Sequence, residues 1–324
     1  MATPDVAGLV ERALRGEPLA VGRLLSLVES DAPGRREQLR EVAAALAPHA
    51  GRAHVVGLTG APGVGKSTMT SAVVGVLRAQ GRRVGVLAVD PSSPFSGGAL
   101  LGDRVRMAEH ASDSGVFIRS MASRGHLGGL AWSTPQALRV LDAAGCDVVL
   151  VETVGVGQSE IEVVALADTT VVLLAPGAGD GVQAAKAGIL EVADVFVVNK
   201  ADRDGAAQTV RDLRHMLTLG APRNEQIWSP PVVRTVAARG EGVEDLVAAL
   251  DGHRKWIDIS GERERRRLAR AAAEIEALTL ERVRVRIGDV RGAVGLAQLA
   301  ARVVAGDLDP YGAADELTGT VGLA

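Results

Sequence analysis

Apolar residues fall along this chain in two rhythms. Over roughly the first fifty residues they recur at intervals of three and four, as in "VAGLVERALRG" and "REQLREVAAALAP", with Gly16 and Pro48 as punctuation. That spacing gathers them on one side of a helix and predicts two or three helices. From about residue 53 to 253, short Val-rich runs take over: "HVVGLTG", "RVGVLAVD", "GVFIRS", "DVVLVET", "TTVVLLA", "DVFVVNK" and "PPVVRTVA". Helix-like stretches separate most of them. Near-continuous apolar strands alternating with helices predict a mostly parallel sheet covered on both faces. From about residue 254 the helical spacing returns in "GERERRRLARAAAEIEALTLERVRVRIG", where Leu268, Ala272, Ile275, Leu278, Leu280 and Val283 form an apolar stripe on a charged helix. The last helices carry too little apolar surface for a core of their own. They are expected to pack against something else, a second copy of the chain being the first candidate. The expected organisation is an α/β domain over residues 53–253 with helical extensions at 1–52 and 254–324.

Composition narrows this picture only modestly. Hydrophobic residues make up 47% of the 324, while aromatics are 2%, so the core must be built from Ala, Val and Leu. The formal net charge of -3 gives no reason to expect nucleic acid or an anionic membrane as partner. No apolar run reaches the ~18 residues of a membrane span, and the first residues do not read as a signal or transit peptide. The single cysteine, Cys146, excludes an internal disulfide and reads as a small buried apolar residue. The six histidines lack metal-ligand spacing. A cytoplasmic setting is expected.

The chemistry begins at "GAPGVGKST", which follows the first strand and opens a helix ended by Gly81. It matches G-x-x-x-x-G-K-[ST] at Gly60, Gly65, Lys66 and Ser67. Glycines let successive backbone N–H groups turn inward around phosphate oxygens, and the helix N-terminus adds its positive dipole end. Gly60, Ala61, Pro62, Gly63, Val64, Gly65, Lys66, Ser67 and Thr68 are therefore candidates for holding a triphosphate. Lys66 serves as the cation on the terminal phosphates, and Ser67 as a Mg²⁺ ligand. Ala61 stands where a related ATPase class has a second lysine. "NKAD" supplies Asn199, Lys200 and Asp202 in the N-K-x-D pattern that reads guanine. The Asp202 carboxylate accepts from the ring N–H and the exocyclic amine together, a donor pair adenine does not offer. Lys200 would lie along the base and Asn199 would brace loops. Ala237, after the next strand, would complete the base pocket with its backbone.

Glu152 ends the strand "DVVLVE", so it arrives at the carboxyl edge of the sheet, where ligands of open α/β folds gather. There it is a candidate Mg²⁺ ligand, directly or through water. Gly155, three residues on, would let a backbone N–H meet the terminal phosphate and lose it on hydrolysis, which makes "TVGVGQSE" a switch segment. Asp90 ends its own strand in the same way and is a candidate for a Mg²⁺ water or the attacking water. Asp103 is a further metal candidate, and Arg104 and Arg124 are candidate phosphate neutralisers.

Taken with "DPSSP", "ETVGVGQSE", "GAGDGVQAAKAG" and "HRKW", these residues resemble the GTPases that chaperone cobalamin-dependent acyl-CoA mutases, the methylmalonyl-CoA mutase-associated group. Members of that group have also carried arginine or lysine/ornithine transport ATPase labels. The resemblance covers almost the whole chain. It implies a P-loop GTPase fold, a homodimer, a Mg²⁺-dependent GTP-to-GDP cycle, and protection or cofactor loading of a mutase partner. It also implies that Asp180, Gln183 and Lys186 relay nucleotide state to that partner. Departures lie at Gly181, Val182, Ala187 and His126, and in a C-terminal helix that lacks the group's Trp-rich pattern. No glutamine or arginine finger is assignable, so slow intrinsic turnover is expected. The alternatives are a metal-delivery GTPase, which usually has the His-rich tail or Cys pairs absent here, a kinase tied to amino-acid transport, and a nucleotide-locked scaffold.

Overall fold

The computed structural model describes residues 5–30, 36–91, 107–110, 112–123, 133–153, 165–177, 192–220, 227–287 and 294–320. Two compact units divide the chain, Met1–Arg263 and Glu264–Ala324.

All seven Val-rich runs are strands: β1 (His54–Thr59), β2 (Val84–Pro91), β3 (Val116–Ser123), β4 (Val148–Thr153), β5 (Thr169–Leu174), β6 (Val195–Val198) and β7 (Val232–Arg234). They form one parallel sheet in the order β3-β2-β4-β1-β5-β6-β7. The chain leaves β1 toward β2 on one side and later crosses from β4 to β5 on the other. The carboxyl ends of β1 and β4 therefore flank the point where the winding reverses, the place where such sheets open a crevice for ligands.

Alternate residues of each strand serve different faces. Leu87, Val89, Val149 and Val151 are buried with the N-terminal helices α1 (Val6–Leu14), α2 (Pro18–Val28) and α3 (Arg36–Leu46), and with α5 (Ser133–Ala143). Each of the first two helices has a clear start. Asp5 Oδ1 accepts from the Gly8 N–H at 3.0 Å to cap α1, and Pro18, which has no N–H to waste, opens α2. Val6, Val10 and Ala13 recur on one face of α1 and are buried. The N-terminal helices thus cover the sheet and share its core. The opposite face buries Val56, Leu58, Val84, Val86, Leu150 and Val171 under α4 (Lys66–Ala79) and α7 (Val243–Ser260). On the β5–β6 side, Phe196 and Val198 pack on Val210 and Leu213 of α6 (Ala206–Gly220). Phe196 heads the fully buried side chains by volume, and the next largest are Leu and Met. Cys146 lies in the N-terminal core, and burial pushes its thiol up to about 12.

At the amino edge of the sheet, a buried polar chain ties β1, β5 and α7 together. His54 Nε2 and Thr169 Oγ1 are 2.6 Å apart, Thr169 Oγ1 and His253 Nδ1 2.7 Å, and His253 Nε2 stands 3.2 Å from Asp194 Oδ1. Burial pushes the His54 imidazole down to about 3, partly opposed by Asp168. The unfolded chain takes up a proton at this residue below pH 6.5 and the folded one does not, so stability present above that pH is lost as pH falls toward 3. The slope is about 1.4 kcal/mol per pH unit, or about 2 kcal/mol by pH 5. We predict that chemical denaturation at pH 7 and pH 5 shows this loss in the natural chain and a clearly smaller one in His54→Gln. Equal losses in the two proteins would refute the assignment.

The second unit holds most of α8 (Glu262–Ile287), with α9 (Val294–Ala305) and α10 (Pro310–Thr320). Arg302 of α9 pairs with Glu316 of α10 at 2.6 Å. The stripe expected on α8 is exposed, Leu268 and Ile275 by more than 60%. Among the described residues, no helix is long and apolar enough to cross a membrane.

Candidate nucleotide site

The loop from Gly60 to Gly65 joins β1 to α4. Its shape depends on two missing side chains. Gly60 has φ +143°, and a Cβ there would lie 2.3 Å from the Leu173 carbonyl oxygen of β5. Gly65 has φ +98° and is the N-cap of α4, and a Cβ there would lie 2.6 Å from Asn199 Nδ2. Both conformations are costly for any residue with a side chain. The second contact joins two motifs far apart in sequence: because Gly65 carries nothing, Asn199 can reach across it.

Asn199 is 3% exposed. Its Nδ2 donates to the Val64 carbonyl at 2.9 Å. Its Oδ1 accepts from the Thr235 hydroxyl and from the Ala237 N–H, each at 3.1 Å. One amide therefore locks the phosphate loop, the end of β6 and the turn after β7 into a single frame. Ala237 enters the frame through its backbone N–H. Lys200 sits in the left-handed region at φ +56°, a conformation worth about 1–3 kcal/mol of strain for a residue with a Cβ. That turn brings Nζ to the Gly63 carbonyl at 2.6 Å. Asp202 pairs with Arg239 at 2.8 Å.

Lys66 begins α4 and is buried, as is Ser67, whereas Thr68 is exposed. The Lys66 ammonium donates to the Gly60 carbonyl and to the Ala61 carbonyl, the latter at 3.3 Å. It is thus held over the loop that Ala61, Pro62, Gly63 and Val64 complete. Glu152 is 1% exposed at the end of β4, level with Leu58 of β1 and Ala88 of β2. Its carboxylate accepts from the Thr70 hydroxyl on α4, and Thr70 Oγ1 lies 3.1 Å from the Lys66 carbonyl. Asp90 lies two residues further along β2 than the position level with Glu152. Asp103, Gly155, Asp180, Gln183 and Lys186 lie outside the described residues, as do Arg104 and Arg124.

Thr70, Thr235 and Arg239 belong to this site and were not foreseen. Thr70 had a faint signal, one helical turn after Lys66. Thr235 and Arg239 had none, because their partners lie 36 and 37 residues away in sequence. Among the described residues, no group of three or more His, Cys, Asp and Glu is placed to hold a metal ion.

A parallel sheet with a phosphate loop after its first strand, locked through Asn199 to an N-K-x-D loop after its sixth, defines a P-loop GTPase. The profile of a family described as methylmalonyl-CoA mutase-associated GTPase MeaB matches residues 21–290. A protein of Pyrococcus abyssi is 46% identical over 310 residues, covering 95% of this chain and 94% of that one. The GTPase ArgK of Escherichia coli is 38% identical over 79% of this chain and 78% of its own length. A crystal structure of a LAO/AO transport system kinase superposes with a TM-score of 0.73 at 28% identity, over 99% of both chains. The chain belongs to the MeaB GTPase family.

Proposed function

We propose that this GTPase hydrolyses GTP to GDP and phosphate with Mg²⁺, and that the cycle serves as a chaperone switch on a cobalamin-dependent acyl-CoA mutase. Methylmalonyl-CoA mutase is the first candidate. The reading is carried by the family match over residues 21–290 together with the joined Lys66, Asn199 and Asp202 loops. In this reading the loop 60–68, through the backbone N–H groups it has on either side of Pro62, and the Lys66 ammonium bind the phosphates. Asp202 reads the guanine edge, with Lys200 and the Ala237 backbone around the base. Gly155 would sense the terminal phosphate, and Asp180, Gln183 and Lys186 would pass its presence to the mutase.

The residues present fit Mg²⁺. Ser67 and Glu152 supply a hydroxyl and a carboxylate, both buried and both tied to α4. Hard oxygen donors, few in number and completed by substrate phosphates, are what this ion takes. Asp90 and Asp103 are the further candidates. Bound there, Mg²⁺ would supply positive charge against the phosphate oxygens. The chain's own contribution is positioning: Thr70 orients Glu152, and the Gly60 and Ala61 carbonyls hold Lys66 over the loop. We propose Asp90 as a residue that orients the attacking water.

The uncovered stripe on α8 supports a homodimer formed through the helical region 254–324, beside a GTP-binding domain of residues 53–253 and a helical extension at 1–52. The reading takes the cytoplasm as its setting, and the near-neutral charge supports a site of action away from nucleic acid and membranes.

Mixing the protein with purified methylmalonyl-CoA mutase is the direct test. The expected result is a complex on gel filtration whose formation depends on the nucleotide, and a GTP turnover that rises on mixing. Fast turnover in isolation, indifferent to every cobalamin mutase offered, would sink the reading.

A further inference from the structure

Asp202, the carboxylate assigned to the guanine base, already has a partner inside the chain. Arg239 Nη2 donates to Asp202 Oδ2 at 2.8 Å, and Arg239 Nη1 stands 3.5 Å from Glu241 Oε1. Arg239 belongs to the 3₁₀ turn Ala237–Arg239. The N–H of Ala237 is held by Asn199, so the turn that offers its backbone to the base also aims this guanidinium at the base-reading carboxylate. The chemistry of the two donors is alike. The edge of guanine that a carboxylate reads is a ring N–H and an amine on one carbon, a guanidine unit. Arginine ends in the same unit.

We infer that Arg239 is an internal competitor for the base site: it holds Asp202 when no guanine is present, and it must release Oδ2 when guanine binds. This rests on the GTP reading of the same site. The consequence is a weaker grip on guanine nucleotides and a faster release of GDP, because the carboxylate has a substitute partner waiting as the base leaves. A chain that empties and refills its pocket during a switching cycle gains exchange without an outside factor. The pair is partly exposed, at 59% for Arg239 and 35% for Asp202. Exposed pairs are worth little, so the effect is bounded at about two- to five-fold, and salt shrinks it.

The test is a double-mutant cycle on GDP binding in the full-length protein, read with a fluorescent GDP analogue at low and high salt. Arg239→Ala and Arg239→Gln are expected to tighten GDP about two- to five-fold at low salt, mostly by slowing its release, and to leave ADP affinity unchanged. In an Asp202→Ala background the same changes are expected to do nothing, which separates competition for the carboxylate from a general effect of lost charge. Unchanged or weakened GDP binding, or equal tightening without Asp202, overturns the inference. Failure of the underlying GTP reading is visible separately, as a natural chain that binds ADP as tightly as GDP.

Discussion

Replacing Lys66 with alanine is expected to cut GTP turnover by about 10³-fold, the scale on which removing one preorganised donor from a desolvated site lowers a rate. Lys66 is 8% exposed, so its ammonium acts where water screens it little. The Gly60 and Ala61 carbonyls fix it over the loop, and a triphosphate arriving there meets a cation that needs no reorganisation. Affinity for GTP falls too, because the phosphates carry the ligand's charge. Stability should change by no more than about 3 kcal/mol, because the two charge-assisted hydrogen bonds are offset by relief of the cost of burying the ammonium. Steady-state phosphate release and thermal unfolding of the same sample check both halves. Turnover within ten-fold of the natural chain, in a folded variant, would remove the phosphate loop from the mechanism.

The second large effect concerns which purine is bound. Asp202→Asn is expected to weaken GTP and GDP binding by about 10³-fold while leaving ATP binding, already weak, nearly unchanged. Two hydrogen bonds to a charged acceptor are at stake, each worth about 1.5–3 kcal/mol, and the amide that replaces it turns a donor toward the guanine amine. Xanthine has a carbonyl in place of that amine, so the variant should favour xanthosine nucleotides. Competition titrations with the four nucleotides decide the matter. A variant that still prefers GDP over xanthosine diphosphate would mean that the base is read elsewhere. The Arg239 pair, lost in the same variant, acts in the opposite direction and is far too small to mask the effect.

Much of this protein is written locally. The strands are short apolar runs, most of them rich in Val, and each needs only its neighbours in sequence to be recognised. The phosphate loop is legible for the same reason: Gly60, Gly65, Lys66 and Ser67 sit within eight residues, and a backbone that must wrap an anion restricts the residues allowed there. Asn199, Lys200 and Asp202 are legible because they sit within four residues in the N-K-x-D pattern, directly after a buried strand. Glu152 stands out by its place at the end of such a strand.

The helices α1–α3 show where that legibility ends. Their amphipathic spacing announces helices, but not that Val6, Val10, Leu24 and Leu25 share a core with Val149 and Val151 of β4. A periodic pattern states that a face is buried without naming what buries it. The bracing of Val64 by Asn199 depends on an absent Cβ at Gly65 meeting a side chain that the sheet delivers from two strands away. Thr70 reaches Glu152, and Arg239 reaches Asp202, only because parallel winding brings their elements to one edge. Sequence by itself determined the elements, the phosphate chemistry and the choice of purine, since these follow from residue types at short spacing. Tertiary structure alone decided which side chains hold those residues in place, because such contacts are made across strands that lie far apart along the chain.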